Sequence, residues 1–273
     1  MTKKRLHWSA KGAIKSLARS IGVGVVRRET LDKLRLLEHS QRDIQFLQAL
    51  YPTTATPESL VNLHKSLLHI SKSRSQYRQD IFALSHLGFK SSGFFVEFGA
   101  TNGIDLSNTY LLEKEFRWTG ILAEPARVWH EDLHKNRTAA IETRCVWRGS
   151  GTKLVFNEVD HAGLSTIDGY TDVDLHRESR SGRLQYTVDT ISLLDMLDKY
   201  QAPRLIDFLS IDTEGSEYEI LRDFDFSRYH FRVITCEHNY TPMREKIYEL
   251  LTRNGYTRVF TEISFNDDWY ISL

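Results

Sequence analysis

Two cysteines in 273 residues exclude a disulfide framework. Both, Cys145 and Cys236, lie in apolar runs and read as reduced, buried thiols, which points to a reducing, cytoplasmic setting. An excess of charge is also missing. Thirty-six lysines and arginines balance 36 acids, and that balance excludes a general nucleic-acid binder, which is normally basic. No apolar run is long enough to span a bilayer. The start, MTKKRLHWSAKGAIKSLARSIG, has basic residues but no long apolar stretch and no obvious cleavage site, so a secretory signal is not expected. No internal repeat is visible. What the chain does have is 41% apolar and 11% aromatic residues, enough for a sizeable core in one α/β domain with an extension.

Charge is unevenly placed. Residues 1–28 carry Lys3, Lys4, Arg5, Lys11, Lys15, Arg19, Arg27 and Arg28 and no acid. On a helical wheel Leu6, Ala10, Ala13, Ile14, Leu17 and Ile21 share one face, with Lys4, Lys11, Lys15 and Arg19 opposite. Such a helix either lies peripherally on an anionic membrane or a partner, or packs on its own domain with a solvated basic face. A second helix is expected over Leu31–Tyr51, ended by Pro52, and Pro57 starts a further segment. The boundary falls near residue 74, between a helical, basic extension (1–74) and the main domain (75–273).

From Ser75 strands and helices alternate. Strands are expected over 93–100, 118–125, 140–147, 153–159, 184–190, 206–212 and 232–239, those at 93–100 and 206–212 buried, with helical patterns between most of them. That alternation means a mostly parallel sheet covered by helices. The last two strands, TRVFTEISF and DDWYISL, are too closely joined for a parallel crossover and must be antiparallel.

The stretch FVEFGATNGIDLSNT (95–109) puts a carboxylate, Glu97, inside an apolar strand just before Gly99 and Gly103. Glycines there let the backbone approach a ligand closely. The spacing is not G-x-G-x-x-G, and an acid would repel a pyrophosphate. It suits a ligand with an ammonium and a sulfonium, such as S-adenosylmethionine (SAM). Glu124, at the end of the second strand, is placed to accept from two ribose hydroxyls.

The motifs SQYRQD, FFVEFGATNGIDLSNT, WTGILAEP, LSIDTEGSEYEIL and CEHN, in this order, resemble the FkbM family of SAM-dependent methyltransferases over residues 75–273. The resemblance implies the seven-stranded class I methyltransferase (Rossmann-like) sheet with an antiparallel C-terminal hairpin. It also implies methylation of hydroxyls on saccharides or glycoconjugates, and on polyketide products. Many members carry Asp where this chain has Glu97, and Ala-Asn where it has Ala100-Thr101-Asn102.

Candidate cofactor residues are Gln79, Glu97, Gly99, Ala100, Asn102, Gly103, Ser107, Asn108, Glu124, Pro125 and Asp212. Alternatives stay open for several. Glu97 has a structural reading, paired with Arg78 or a backbone amide. Ser107 and Asn108 read equally as helix caps, and Gln79 and Asp80 as helix-face residues. The ends of the fourth and fifth strands bring Asp212, Glu214, Glu237 and His238 toward one mouth, where chemistry belongs in such sheets. His238 is the first choice for general base, with Asp212 and Glu214 beside it; the bland reading is a satisfied strand-end histidine. Asp212, Glu237 and His238 also form a candidate ligand set for Mg²⁺ or Mn²⁺. Glu217 and Glu219 read as acids favoured by a helix dipole. The polar stretch from Asp160 to Gly182, with His161, Ser165, Asp168, Asp172, Asp174 and His176, reads as an acceptor loop or a plain surface loop. Competing readings are an NAD- or nucleotide-sugar-binding enzyme and an inactive methyltransferase-fold scaffold.

Overall fold

The computed structural model describes residues 28–52, 56–158, 166–167 and 184–273. The basic amphipathic segment ahead of Arg28, and His161, Ser165, Asp168, Asp172, Asp174 and His176, lie outside the described residues. The chain divides after Phe46 into two units. Helix α1 (Arg28–Leu50) runs through the division. The second unit, Leu47–Leu273, is described below.

Helix α2 (Pro57–His69) starts as Pro57 and its cap dictate: the Thr56 side chain accepts from Ser59 N, and proline occupies the first turn. It packs on α3 (Gln79–His86) through Tyr51, whose hydroxyl reaches Ser66 Oγ at 2.8 Å and Ser85 Oγ at 2.6 Å.

Next come β1 (Phe94–Phe98), α4 (Tyr110–Phe116), β2 (Thr119–Ala123), α5 (His130–Asn136) and β3 (Ala140–Glu142). Then follow β4 (Cys145–Trp147), β5 (Lys153–Glu158), β6 (Thr166–Ile167), β7 (Leu184–Ser192) and α6 (Leu193–Lys199). The chain ends through β8 (Leu205–Ile211), α7 (Glu217–Leu221), β9 (His230–Glu237), α8 (Met243–Arg253), β10 (Tyr256–Val259) and β11 (Asp267–Ser272). The main sheet has seven strands in the order β10-β11-β9-β8-β1-β2-β3. β3, β2, β1, β8 and β9 are parallel, and β11 runs antiparallel to both β9 and β10. This is the mostly parallel class I sheet with an antiparallel terminal pair. Its central strands are near-continuous apolar runs because helices cover both faces. One face packs Val96, Phe98, Ile121, Leu209, Ile211, Ile234 and Cys236 into a single cluster. On α3, Phe82 stacks on Trp269 at 4.7 Å. Both cysteines are free and buried.

Two expected strands are shorter than their apolar runs. Residues 140–147 break after Glu142. β3 stays in the main sheet, while β4 pairs with β7 in a second sheet of order β4-β7-β5-β6. Glu142, 2% exposed, accepts from Arg144 Nε and Nη2 and from Lys199 Nζ, which fastens the bend. The run TRVFTEISF stops at Val259, because Phe260 and Phe265 are both left-handed, at φ 56° and 54°.

Candidate active site

β1 lies between β2 and β8, where the strand order reverses, and in such sheets ligands bind outside the carboxyl ends of the strands at that point. Gly99 (φ 73°) sits where a Cβ would overlap the Asp212 carbonyl oxygen, so only glycine brings the turn this close to the end of β8. The turn is fastened locally. Gly99 N and Ala100 N donate to Ala123 O, and Gly103 N donates to Ala100 O at 2.8 Å. Asn102 Oδ1 accepts from the amides of Ile104 and Asp105, a self-closing Asx arrangement.

The two strand-end glutamates are held differently. Glu97, 3% exposed, accepts from Asn108 N at 2.6 Å and from the hydroxyls of Ser107 and Thr109. Of the structural alternative, the backbone-amide partner is present as Asn108 N, and the cation nearby is Arg137 at 3.7 Å in place of Arg78. Its carboxylate thus braces the loop 107–109 from beneath. Ser107 Oγ also accepts from Tyr110 N, at the start of α4, and Asn108 donates to Ser210 Oγ, so both tie the loop to the sheet and helix. Glu124 is 4% exposed and accepts one backbone N–H on each oxygen, from Thr101 and Ala126, both at 2.8 Å. Each oxygen keeps a second lone-pair site. Burial pushes its pKa up to about 7, against those two hydrogen bonds. Pro125, half-buried, lies between Glu124 and the bonded Ala126 amide. Gln79 donates to Asp267 Oδ2 at 2.8 Å and accepts from Tyr77 N. Asp80 is enclosed at the start of α3, where it accepts from Ser73 Oγ and Ile81 N.

At the mouth, oxygens of Asp212, Glu214 and Glu237 lie within 4.8 Å of one another. Asp267 faces Glu237 across the β9–β11 ladder. Burial pushes Asp212 up to about 6 and Asp267 to about 7, and burial with its acidic neighbours raises Glu237 well above the ordinary carboxylate range.

His238 does not join this group. It is 3% exposed, its Nδ1 accepts from Tyr240 N at 2.9 Å, and Nε2 faces Asp268 at 3.8 Å. With Nδ1 occupied as an acceptor, the neutral ring carries its proton on Nε2 and has no lone pair to offer. Burial lowers its pKa to about 4. Asp268 is itself forked by Arg244 and bonded by Arg258. This geometry does not favour the expected base and metal roles of His238, and the acid that converges with Asp212 and Glu237 is Glu214.

The family profile described as Methyltransferase FkbM domain matches residues 97–258, more than half of the chain. This chain belongs to the FkbM methyltransferase family. It is a SAM-dependent methyltransferase of FkbM type. Among solved structures, it is similar to a methyltransferase FkbM from Methylobacillus flagellatus KT, at 15% identity, covering 97% of this chain and 72% of that one, with a TM-score of 0.48. It is also similar to precorrin-6y C5,15-methyltransferase from Geobacter metallireducens GS-15, at 14% identity, 70% and 85% coverage and a TM-score of 0.37. A carbon methyltransferase, CurJ, matches at 10% identity, 89% and 69% coverage and a TM-score of 0.36. The identification rests on the family profile. No curated protein sequence matches the chain.

Three residues of this FkbM protein's site escaped sequence reasoning. Arg137, enclosed at the end of α5, donates to Gly103 O, Ser107 Oγ, Thr109 Oγ1 and Glu113 Oε2. It binds the glycine turn, the loop after it and α4 into one body. Glu217 accepts from Thr213 N, Thr213 Oγ1 and Gly215 N, closing the loop that carries Asp212 and Glu214. Its carboxylate folds back on that loop, a task beyond favouring the helix dipole. Asp267 opens β11, inside what the sequence presents as an edge hairpin. An arginine in a polar run and an acid beside a tight turn have no signal along the chain; their partners are distant in sequence.

Proposed function

We propose that the protein moves the methyl group of SAM to a hydroxyl oxygen of a saccharide or glycoconjugate. The observation that carries this reading is the juxtaposition of the glycine turn and Glu124 with a mouth of carboxylates whose pKa values are raised toward neutrality. Glu124 accepts from the ribose hydroxyls on its remaining lone pairs, and the turn backbone lies along the cofactor. The acceptor O–H gives its proton to the mouth carboxylates Asp212, Glu237 and Asp267, which titrate as a set. Its oxygen attacks the sulfonium methyl, the S–CH₃ bond breaks, and S-adenosylhomocysteine leaves.

A polyhydroxy acceptor fits this mouth, because carboxylates accept from several hydroxyls at once. Leu106, Tyr240 and Phe265, exposed by 64%, 57% and 41%, stand on the loops around it, and Phe265 stacks with Tyr77 at 4.9 Å. Such faces suit the apolar side of a sugar ring. The same acids argue against a pyrophosphate-bearing nucleotide. Among the described residues no helix is long and apolar enough to cross a membrane. The reading includes a cytoplasmic protein touching anionic membrane through residues 1–28.

The test uses SAM with a ¹³C-labelled methyl group and a panel of cellular glycans, with the product read by NMR. A methyl ether on a sugar oxygen is expected. Transfer should rise with pH through about 6–7, since only the ionised carboxylates take a proton. A C-methyl or N-methyl product overturns the reading.

A further inference from the structure

We infer that Tyr186 and Glu158, which stand on the second sheet, are positioning residues for the cofactor: they hold the loop after β2 so that the Glu124 carboxylate meets the ribose. The inference rests on Glu124 as the ribose ligand. Strand β2 ends at Ala123, so the loops that bond the Glu124 carboxylate set its direction. One oxygen is held by Thr101 N and the other by Ala126 N. Successive amides of the loop after β2 point at three different side chains. Ala126 N donates to Glu124 Oε1 at 2.8 Å, Arg127 N donates to the Tyr186 hydroxyl at 3.0 Å, and Val128 N faces Glu158 Oε2 at 3.5 Å. The first orients the carboxylate. The other two moor the same backbone to β7 and β5.

The mooring is directional. A tyrosine hydroxyl has one proton to give. Tyr186 gives it to Glu158 Oε2 at 2.6 Å, a short, charge-assisted bond, and so keeps its lone pairs for the Arg127 amide. Glu158 thus acts through Tyr186, and Tyr186 acts through Arg127 N. The Arg127 guanidinium lies over the Tyr186 ring, 4.3 Å from its centroid. Phe156, the cross-strand partner of Tyr186 on β5, packs on it at 5.7 Å.

Attachment and direction come from different groups. Ala126 is enclosed in an apolar cluster with Cys145, Phe156 and Val188, against which the Tyr186 ring packs. That cluster attaches the loop to the second sheet. The backbone of β5 and β7 pairs from Lys153 to Glu158, so the sheet closes without the Tyr186 hydroxyl. What the hydroxyl adds is a bond to the β2 loop, one residue beyond the amide that holds Glu124. A binding carboxylate needs support of this kind to be held within about 0.5 Å of its productive place.

The experiment measures SAM affinity by calorimetry on the full-length protein, with thermal unfolding to verify that each variant is folded. Tyr186→Phe keeps the ring and loses the hydroxyl. It should bind SAM about three- to tenfold more weakly. Glu158→Ala should weaken binding similarly, and Glu158→Gln, which keeps an acceptor for the hydroxyl, should recover most of the affinity. In a Glu124→Ala background, Tyr186→Phe should have no further effect on SAM, because Tyr186 acts through that carboxylate. A residue that only stabilises the fold gives equal effects in both backgrounds. Wild-type affinity in Tyr186→Phe, or an undiminished loss when it is added to Glu124→Ala, overturns the inference and leaves Glu124 as the ribose ligand. Glu158→Gln binding as weakly as Glu158→Ala overturns the directional hold. Unchanged SAM affinity in Glu124→Ala removes the ribose ligand itself, and the inference with it.

Discussion

Glu97 and Glu124 end neighbouring strands, carry the same group and are equally hidden, but their hydrogen bonds separate their roles. Glu97 is braced by loop 107–109 and by Arg137, whereas Glu124 retains acceptor capacity. Burial lifts the Glu124 pKa to about 7. A raised carboxylate pKa gives stability that is full below the ordinary carboxylate range and is lost as pH rises through about 7. The ionised form accepts from both ribose hydroxyls and bonds them more strongly than the neutral carboxyl does, so SAM binding favours ionised Glu124 and recovers part of that loss. SAM affinity should therefore strengthen by up to about tenfold between pH 6 and 8 and then level off. Glu124→Gln should flatten this dependence and weaken binding by about 2–4 kcal/mol, as read by calorimetry across the pH series. A pH-independent wild type would remove Glu124 from the cofactor site. At the same scale, nothing in CEHN along the chain distinguishes a solvent-facing imidazole from one turned toward Asp268. The Tyr240 amide and the Asp268 carboxylate decide that through space.

At the scale of elements, the segment from β1 to α4 is held by one guanidinium. Arg137 arrives from α5 and bonds the turn, the loop and Glu113, with Glu97 beside it. Arg137→Ala removes the cation beside buried Glu97 and one of the two cations on Glu113, which keeps Lys114, and should cost about 3–5 kcal/mol in urea unfolding. Arg137→Lys restores the charge but not the planar fork, so it should recover part of the stability while SAM affinity stays reduced. Full SAM affinity in a folded Arg137→Ala protein would show that the turn forms without it. Elements of strong period were legible in the sequence: α2 with its proline start, and the apolar strands β1, β2, β8 and β9. The break between β3 and β4 was not, because AIETRCVW has a strand pattern throughout and only Lys199, from α6, joins Arg144 on Glu142 to fasten the bend.

Over the whole molecule, every candidate site residue falls within the unit Leu47–Leu273. Deleting residues 1–27 should therefore leave SAM affinity and methylation of a soluble acceptor intact. If residues 1–28 touch anionic membrane as proposed, the deletion should abolish binding to anionic vesicles, and raised salt should weaken binding by the full chain. Equal vesicle binding by both proteins in a sedimentation assay would sink the membrane contact. By itself the sequence determined the alternation of elements, the parallel sheet with its antiparallel end, the glycine turn and the acids at strand ends. Those are written in periodicity and in residues with restricted backbone or charge, which act on near neighbours. Only the tertiary structure decided which acids converge, that Arg137 and Asp267 belong to the site, and that His238 does not. Those outcomes depend on pairings as distant as Gln79 with Asp267. They also depend on burial, which moves the pKa values of Glu124, Asp212 and Asp267 and has no local signature.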